Sequence, residues 1–209
     1  MAGKFYFYRM TVDGGGAPCF KGGLWSLAIC KPAIRASAGA GDTVIGFAGD
    51  GIDKHNGIVH VARVWKQLAD GRYYDPQSRF ARRPDSIYRR SGEGWKQLRN
   101  RHHKPADLPR DIGKDGKKAN VLVSRDFRYF GRNRYDVDWS RYPRLRRRLE
   151  RLKRGHRVNH SDALLGELIT LAAEVFKSTR RKVSGKPTHG DKGRRCNVDD
   201  QKKDGVCGR

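Results

Sequence analysis

Residues 5–48 set three β-compatible runs in quick succession, so this chain begins by committing itself to a sheet. The first run, Phe5-Tyr6-Phe7-Tyr8-Arg9-Met10, alternates aromatic residues with apolar character on both faces, which suits a strand covered from two sides. Leu24 to Cys30 is the second. Thr43 to Ala48 is the third, launched from a Gly41-Asp42 turn. Between them lie a glycine loop, Gly14-Gly15-Gly16, and a basic crossing that holds Lys31 and Arg35.

Gly49-Asp50-Gly51 and Asn56-Gly57 bracket a hairpin whose return strand runs from Ile58 to Trp65. Val121 to Ser124 is a later strand, followed by the polar-aromatic run Arg125–Gly131. From about Asp70 to Asn120 the pattern is irregular, rich in Arg, Tyr, Gly and Pro. A stretch that long inside a compact domain is functional or disordered. Its aromatics Tyr73, Tyr74, Phe80, Tyr88 and Trp95 argue for burial. Two helices follow. Leu145, Leu149 and Leu152 make a narrow apolar stripe wrapped in arginine. Ser161 or Asp162 caps a second helix with Leu165, Leu168, Ile169, Ala172, Val175 and Phe176 on one face. Residues 1–180 are thus expected to form one domain and 181–209 a disordered basic tail.

A formal charge of +24 on 209 residues repels itself, and such charge accompanies a polyanionic partner. Nucleic acid is the expected partner, DNA ahead of RNA, with an anionic membrane as the runner-up. The start of the chain does not read as a signal peptide and no window is apolar enough to span a bilayer, so a cytoplasmic protein with no membrane association is expected. Cys19, Cys30, Cys196 and Cys207 form no C-x-x-C pair, which argues against structural zinc. No cofactor is expected: Gly14-Gly15-Gly16 lacks the context of a phosphate loop.

Tyr8-Arg9-Met10, Ala17-Pro18-Cys19, Cys30-Lys31-Pro32, Ile34-Arg35 and Gly41-Asp42 together resemble the nucleotide-modification-associated domain family, second type. The resemblance continues through Tyr73-Tyr74-Asp75, Arg79-Phe80, Asp85–Tyr88 and Val121–Gly131. It implies a prokaryotic or phage protein tied to systems that modify or recognise bases. The strand order also looks like a PUA-like barrel. The expected fold is therefore α+β: a small PUA-like mixed barrel with C-terminal helices.

On that footing the chain reads as a non-enzymatic binder of a modified base in an Arg/aromatic groove. A flipped base stacks on aromatic rings while polar groups read its edge. Tyr6, Tyr8, Trp25, Tyr74, Phe80, Tyr88 and Tyr129 are the candidate platforms, with core packing as the competing role. Phe5, Phe7 and Trp65 are read as core. Arg9, Lys31, Arg35 and Arg79 are candidate phosphate ligands. Asp75, Ser124 and Asp126 are candidates for the base edge. The alternative is an enzyme acting on a nucleotide or modified base, with Asp126 and a cysteine or histidine in the site. Cys19 or Cys30 with His60 or His102 supplies the residues for it, although no spacing compels the pairing. A hydrogen-bonded nucleophile–base pair would favour the enzyme, and an aromatic slot without one the reader.

Overall fold

The double-sided apolar pattern of the first run is explained by a sheet with no solvent face. The computed structural model describes residues 3–190 apart from 93, 153 and 154. Strands β1 (Phe5–Met10), β2 (Trp25–Leu27), β3 (Thr43–Ala48), β4 (Ile58–Arg63) and β5 (Lys66–Leu68) come first. They are followed by β6 (Tyr88–Ser91), β7 (Gly94–Gln97), β8 (Val121–Ser124), β9 (Asp126–Tyr129) and β10 (His156–Arg157). Helix α1 (Pro32–Ser37) joins β2 to β3, and a single turn α2 (Leu108–Asp111) precedes β8. Helices α3 (Pro143–Glu150) and α4 (Asp162–Ser178) flank β10.

The large sheet runs β10-β1-β3-β4-β9, with β1 and β3 parallel and the other pairs antiparallel. Tyr6, Tyr8, Met10, Val44, Ala48, Val59, Phe127 and Tyr129 point to one core. Phe7, Ile45, Phe47, Ile58 and Val61 point to the other, as a period of two demands. On the second side Leu145, Leu149 and Leu152 from the arginine-wrapped segment meet Leu164, Leu168, Leu171 and Val175 of α4. Each such leucine contributes roughly 1.5–3 kcal/mol on burial, enough to hold a helix whose outer face is almost wholly arginine.

The first side is covered by a second sheet, β2-β8-β5. The chain passes between the sheets four times, and two of the passages are short, at Val64–Trp65 and at Arg125, so the two sheets share a corner there. No sheet closes on itself among the described residues. The α+β class holds; the PUA-like barrel is not confirmed, since none of these sheets closes. The irregular stretch 70–120 is a further layer. It contains the β6–β7 hairpin and packs Tyr73, Tyr74, Phe80, Ile87 and Tyr88 against Ala28, Ile29, Val121 and Val123.

Residues 181–190, expected as disordered tail, are instead laid along β9 and the glycine loop. Tyr129 N–H donates to the Lys182 carbonyl (2.8 Å), and Ser184 N–H to that of Tyr129 (2.8 Å). Asp13 accepts from Thr188 N–H at 3.0 Å. These bonds are made by backbone and one carboxylate, so the lack of large apolar residues in this segment is no obstacle. The rest of the expected tail, 191–209, lies outside the described residues.

Candidate thiol–imidazole site

The chain leaves β2 through Ala28-Ile29 and turns into α1 at Cys30 and Lys31, both left-handed, with φ of 59° and 45°. Two successive non-glycine residues in that region are costly and are retained where surroundings enforce them. Arg35 is one enforcer. It is wholly buried and donates to the carbonyls of Cys30 (2.7 Å), Lys118 (3.0 Å), Asn120 (2.7 Å) and Asp111 (2.8 Å). A guanidinium saturated in this way braces the turn from within.

The Cys30 sulfur lies 3.1 Å from His103 Nε2. His103 Nδ1 lies 2.7 Å from Asp111 Oδ2, and both side chains are fully enclosed. Tyr88 hydroxyl donates to the same Oδ2 at 2.9 Å, while Cys30 N–H donates to Oδ1 at 3.0 Å. Asn100 Oδ1 accepts from the N–H of both His102 and His103 (2.8 Å each), fixing the loop that carries the imidazole. The result is a thiol, an imidazole and an orienting carboxylate in series, the arrangement of nucleophilic catalysis.

Burial alone would discharge His103. The bonds to Asp111 and Cys30 outweigh it and raise its pKa to about 10. Asp111 is held below the usual carboxylate range, burial being overcome by His103 and Arg35. An imidazolium at this distance favours thiolate over thiol. The neighbouring His102 goes the other way, down to about 4, because burial and the charge of Arg101 disfavour its protonated form.

Val12, Gly14, Gly16, Ala17, Ile29 and His102 wall a cleft of about 20 Å³ beside Cys30 and His103, the space of about one water. Gly16 is required there. A Cβ at that position would come within 2.6 Å of the His102 ring.

Other sequence-derived candidates lie elsewhere. Arg35 is the brace described above, with no exposed donor for phosphate. Tyr8, Tyr74, Tyr88 and Tyr129 are 0–1% exposed, which leaves none of these rings open for stacking. Tyr8 hydroxyl meets His60 Nε2 (2.9 Å), Tyr74 bonds the Ala28 carbonyl, and Tyr129 donates to both oxygens of Asp13 (2.7 and 2.9 Å). Ser124 is buried in the β8–β9 bend, bonded to the backbone of Asp126. Asp126 itself pairs with Arg63 (2.8 Å) and Arg128 (3.4 Å). Arg9 is paired with Asp50, and exposed Asp75 caps the turn at Gln77 (2.7 Å). Lys31 sits 4.6 Å above the Tyr8 ring. His60 is completely buried among Tyr8 and Trp25.

Trp65, read as core, is 43% exposed. It is flanked by the guanidiniums of Arg125 (4.4 Å) and Arg79 (5.7 Å). Sequence reasoning missed it because the β4 pattern seemed to run on to 65, whereas the strand ends at Arg63 and the corner turns Trp65 outward.

A family model, nucleotide modification associated domain 2, matches residues 2–191. The chain belongs to that family. The matched span takes in the whole thiol network and the segment that packs on β9. No curated protein and no solved structure matches the chain. Membership in the nucleotide modification associated domain 2 family places the protein in a base-modification context and leaves the chemistry to be argued from the site.

Proposed function

We propose that this chain is a thiol-dependent enzyme acting on a nucleotide or a modified base carried by nucleic acid, with Cys30 as nucleophile. The observation that carries this reading is the Cys30–His103–Asp111 series, at 3.1 and 2.7 Å. In it the Cys30 sulfur attacks an electrophilic carbon of the modification, an acyl or amidine carbon, and a C–S bond forms. The bond to the leaving group breaks, and the imidazolium of His103 gives that group its proton. Water then attacks the thioester-like intermediate, His103 takes the water's proton, and the C–S bond breaks to restore the thiolate–imidazolium pair. Asp111 holds the ring's orientation and its charge throughout.

Nucleic acid as the carrier is supported by the +24 charge and by the family's base-modification context. Trp65 between two arginines favours a second reading, a base-binding module without chemistry, because an exposed indole is a stacking platform. The two separate experimentally. Wild-type, Cys30→Ser and Cys30→Ala proteins are incubated with nucleotides and DNA that carry N-acylated or amidine-modified bases, and intact mass is measured. A mass increment on Cys30, or turnover lost in Cys30→Ala, is the expected result. Unchanged modified-base binding by Cys30→Ala, with no adduct and no turnover in wild type, leaves the reader.

A further inference from the structure

The strongest feature outside the thiol site is the side of α3 that faces the start of α4. Arg144, Arg147, Arg148 and Arg151 line a cleft of about 270 Å³ together with Asn159 and His160. Its lining contains no carboxylate. Arg144 is answered by Glu167 (3.4 Å), but that carboxylate is also engaged by the Arg144 and Leu145 N–H groups. Arg147, Arg148 and Arg151 make no ion pair among the described residues. His160 uses Nε2 on the Phe5 carbonyl (2.8 Å), and its enclosed Nδ1 has no partner among the described residues. Like charges gathered without a counter-charge repel one another. A ligand that brings negative oxygens relieves that cost.

The same charges continue over the edge of the large sheet. Phe7 pairs with Arg157 and Tyr8 with His156 in the β1–β10 register. His160 stacks on the Phe7 ring at 5.4 Å. Lys31, the residue after Cys30, lies over the other face of this strand pair at the Tyr8 ring. Arg148 acts electrostatically on Arg157, and Lys31 on His156. A basic path therefore leads from the α3 cleft across β10 to the residue adjoining the thiol.

We propose that the α3–α4 arginine cleft binds a backbone phosphate of a nucleic-acid strand, which crosses the β10 edge to bring a base to Cys30. Arginine forks match phosphate oxygens in pairs. This rests on the nucleic-acid part of the function proposed above and narrows it: the substrate is a polymer, held at a phosphate remote from the reacting base, rather than a free nucleotide. A membrane surface is the less suitable occupant. The only exposed large apolar side chains among the described residues are Trp65 and Ile169, and neither lines this cleft.

The test uses full-length protein, a fluorescent single-stranded 20-mer, a mononucleotide and anionic lipid vesicles. The double substitution Arg148→Gln/Arg151→Gln is compared with Arg82→Gln/Arg99→Gln, which removes the same charge from exposed positions elsewhere. Melting temperature confirms that both remain folded. The expected result is a loss of about tenfold or more in 20-mer affinity for the cleft variant, and a salt slope smaller by about 1.4. The control should lose clearly less, the mononucleotide should compete poorly, and alkylation of Cys30 should be unchanged. Equal losses in both variants overturn the cleft while leaving nucleic-acid binding intact. Competition by mononucleotide as strong as by the 20-mer overturns the polymer. Preference for vesicles, or no 20-mer binding by wild type, overturns the proposal together with the nucleic-acid reading. The thiol chemistry is judged separately, by labelling.

Discussion

Two buried cysteines sit in polar networks on the same side of the large sheet, and what faces each sulfur differs. Cys19 lies beside Asp85, which is itself enclosed and bonded by Ser26 (2.6 Å) and Tyr73 (2.7 Å). Burial and the Asp85 carboxylate raise the Cys19 thiol to about 12, and Arg83 at 3.5 Å does not compensate. The Cys30 sulfur faces an imidazole instead (3.1 Å); its carboxylate, Asp111, meets the Cys30 backbone N–H through one oxygen (3.0 Å) and that imidazole through the other (2.7 Å). An acid next to a thiol silences it, while the same acid placed behind a histidine charges the histidine and favours the thiolate. Network content is similar in the two places; the order of groups decides which thiol is reactive.

The largest expected effect tests that contrast directly. At pH 7 iodoacetamide should modify Cys30 faster than Cys19 by about three orders of magnitude, read by peptide mass spectrometry, since the thiolate is the nucleophile. Comparable rates would erase the distinction. Next, Arg35→Met should cost about 3–5 kcal/mol in denaturant unfolding, because it strands four carbonyls in the interior and takes one cation from beside Asp111. Arg83→Met, at a more open site, should cost clearly less; the reverse order would mean that Arg35 is not the brace.

His103→Ala should slow Cys30 labelling at pH 7 about tenfold and leave Cys19 untouched, as a thiol without an imidazolium is only a few per cent ionised. The pH dependence of folding follows from the same ring. A histidine raised from 6.5 to about 10 on folding stabilises fully below pH 6.5 and loses that contribution as pH rises through 10. The melting temperature should therefore fall over this window in wild type and fall less in His103→Asn. The smallest effect concerns the C-terminal segment. Ending the chain after Val183 rather than after Gly190 removes the Thr188 and His189 bonds to Asp13, the Ser184 N–H bond to Tyr129 and the Arg132 N–H bond to Lys186, all near the surface. That loss is about 1–2 kcal/mol, or roughly 2–8 °C.

The strands were legible because their residues obey a period of two with both faces apolar. Phe5–Met10, Thr43–Ala48 and Val121–Ser124 are each read to the residue. The leucines of α3 were equally plain, but the apolar face of α4 was read one step round: Leu168, Ala172 and Val175 are core as expected, whereas Leu164 and Leu171 take the places given to Leu165 and Ile169, and Ile169 is 45% exposed. What pattern could not show is sequence-distant convergence. His103 reaches Cys30 across 73 positions and Asp111 across 81, and nothing in local spacing records such a meeting. The adjacent pair His102-His103 hid the partner further, since only the second of the two turns to the sulfur. Tyr74, Tyr88 and Tyr129 sit among arginines in the sequence, yet each hydroxyl finds a buried acceptor and the ring follows it inward. Trp65 shows the converse, an apolar residue pushed out where a strand changes sheet.

Asp13 ties the glycine loop to Thr188 and His189, and Gly15 lies so close to Pro187 that a Cβ there would come within 2.9 Å of it. The loop that walls the thiol is thus pinned by some of the last residues described. During synthesis the N-terminal part emerges first, so Cys30, His103 and Asp111 all leave the ribosome before residue 187. For that interval the three residues are present while the outer wall of their site still has no latch.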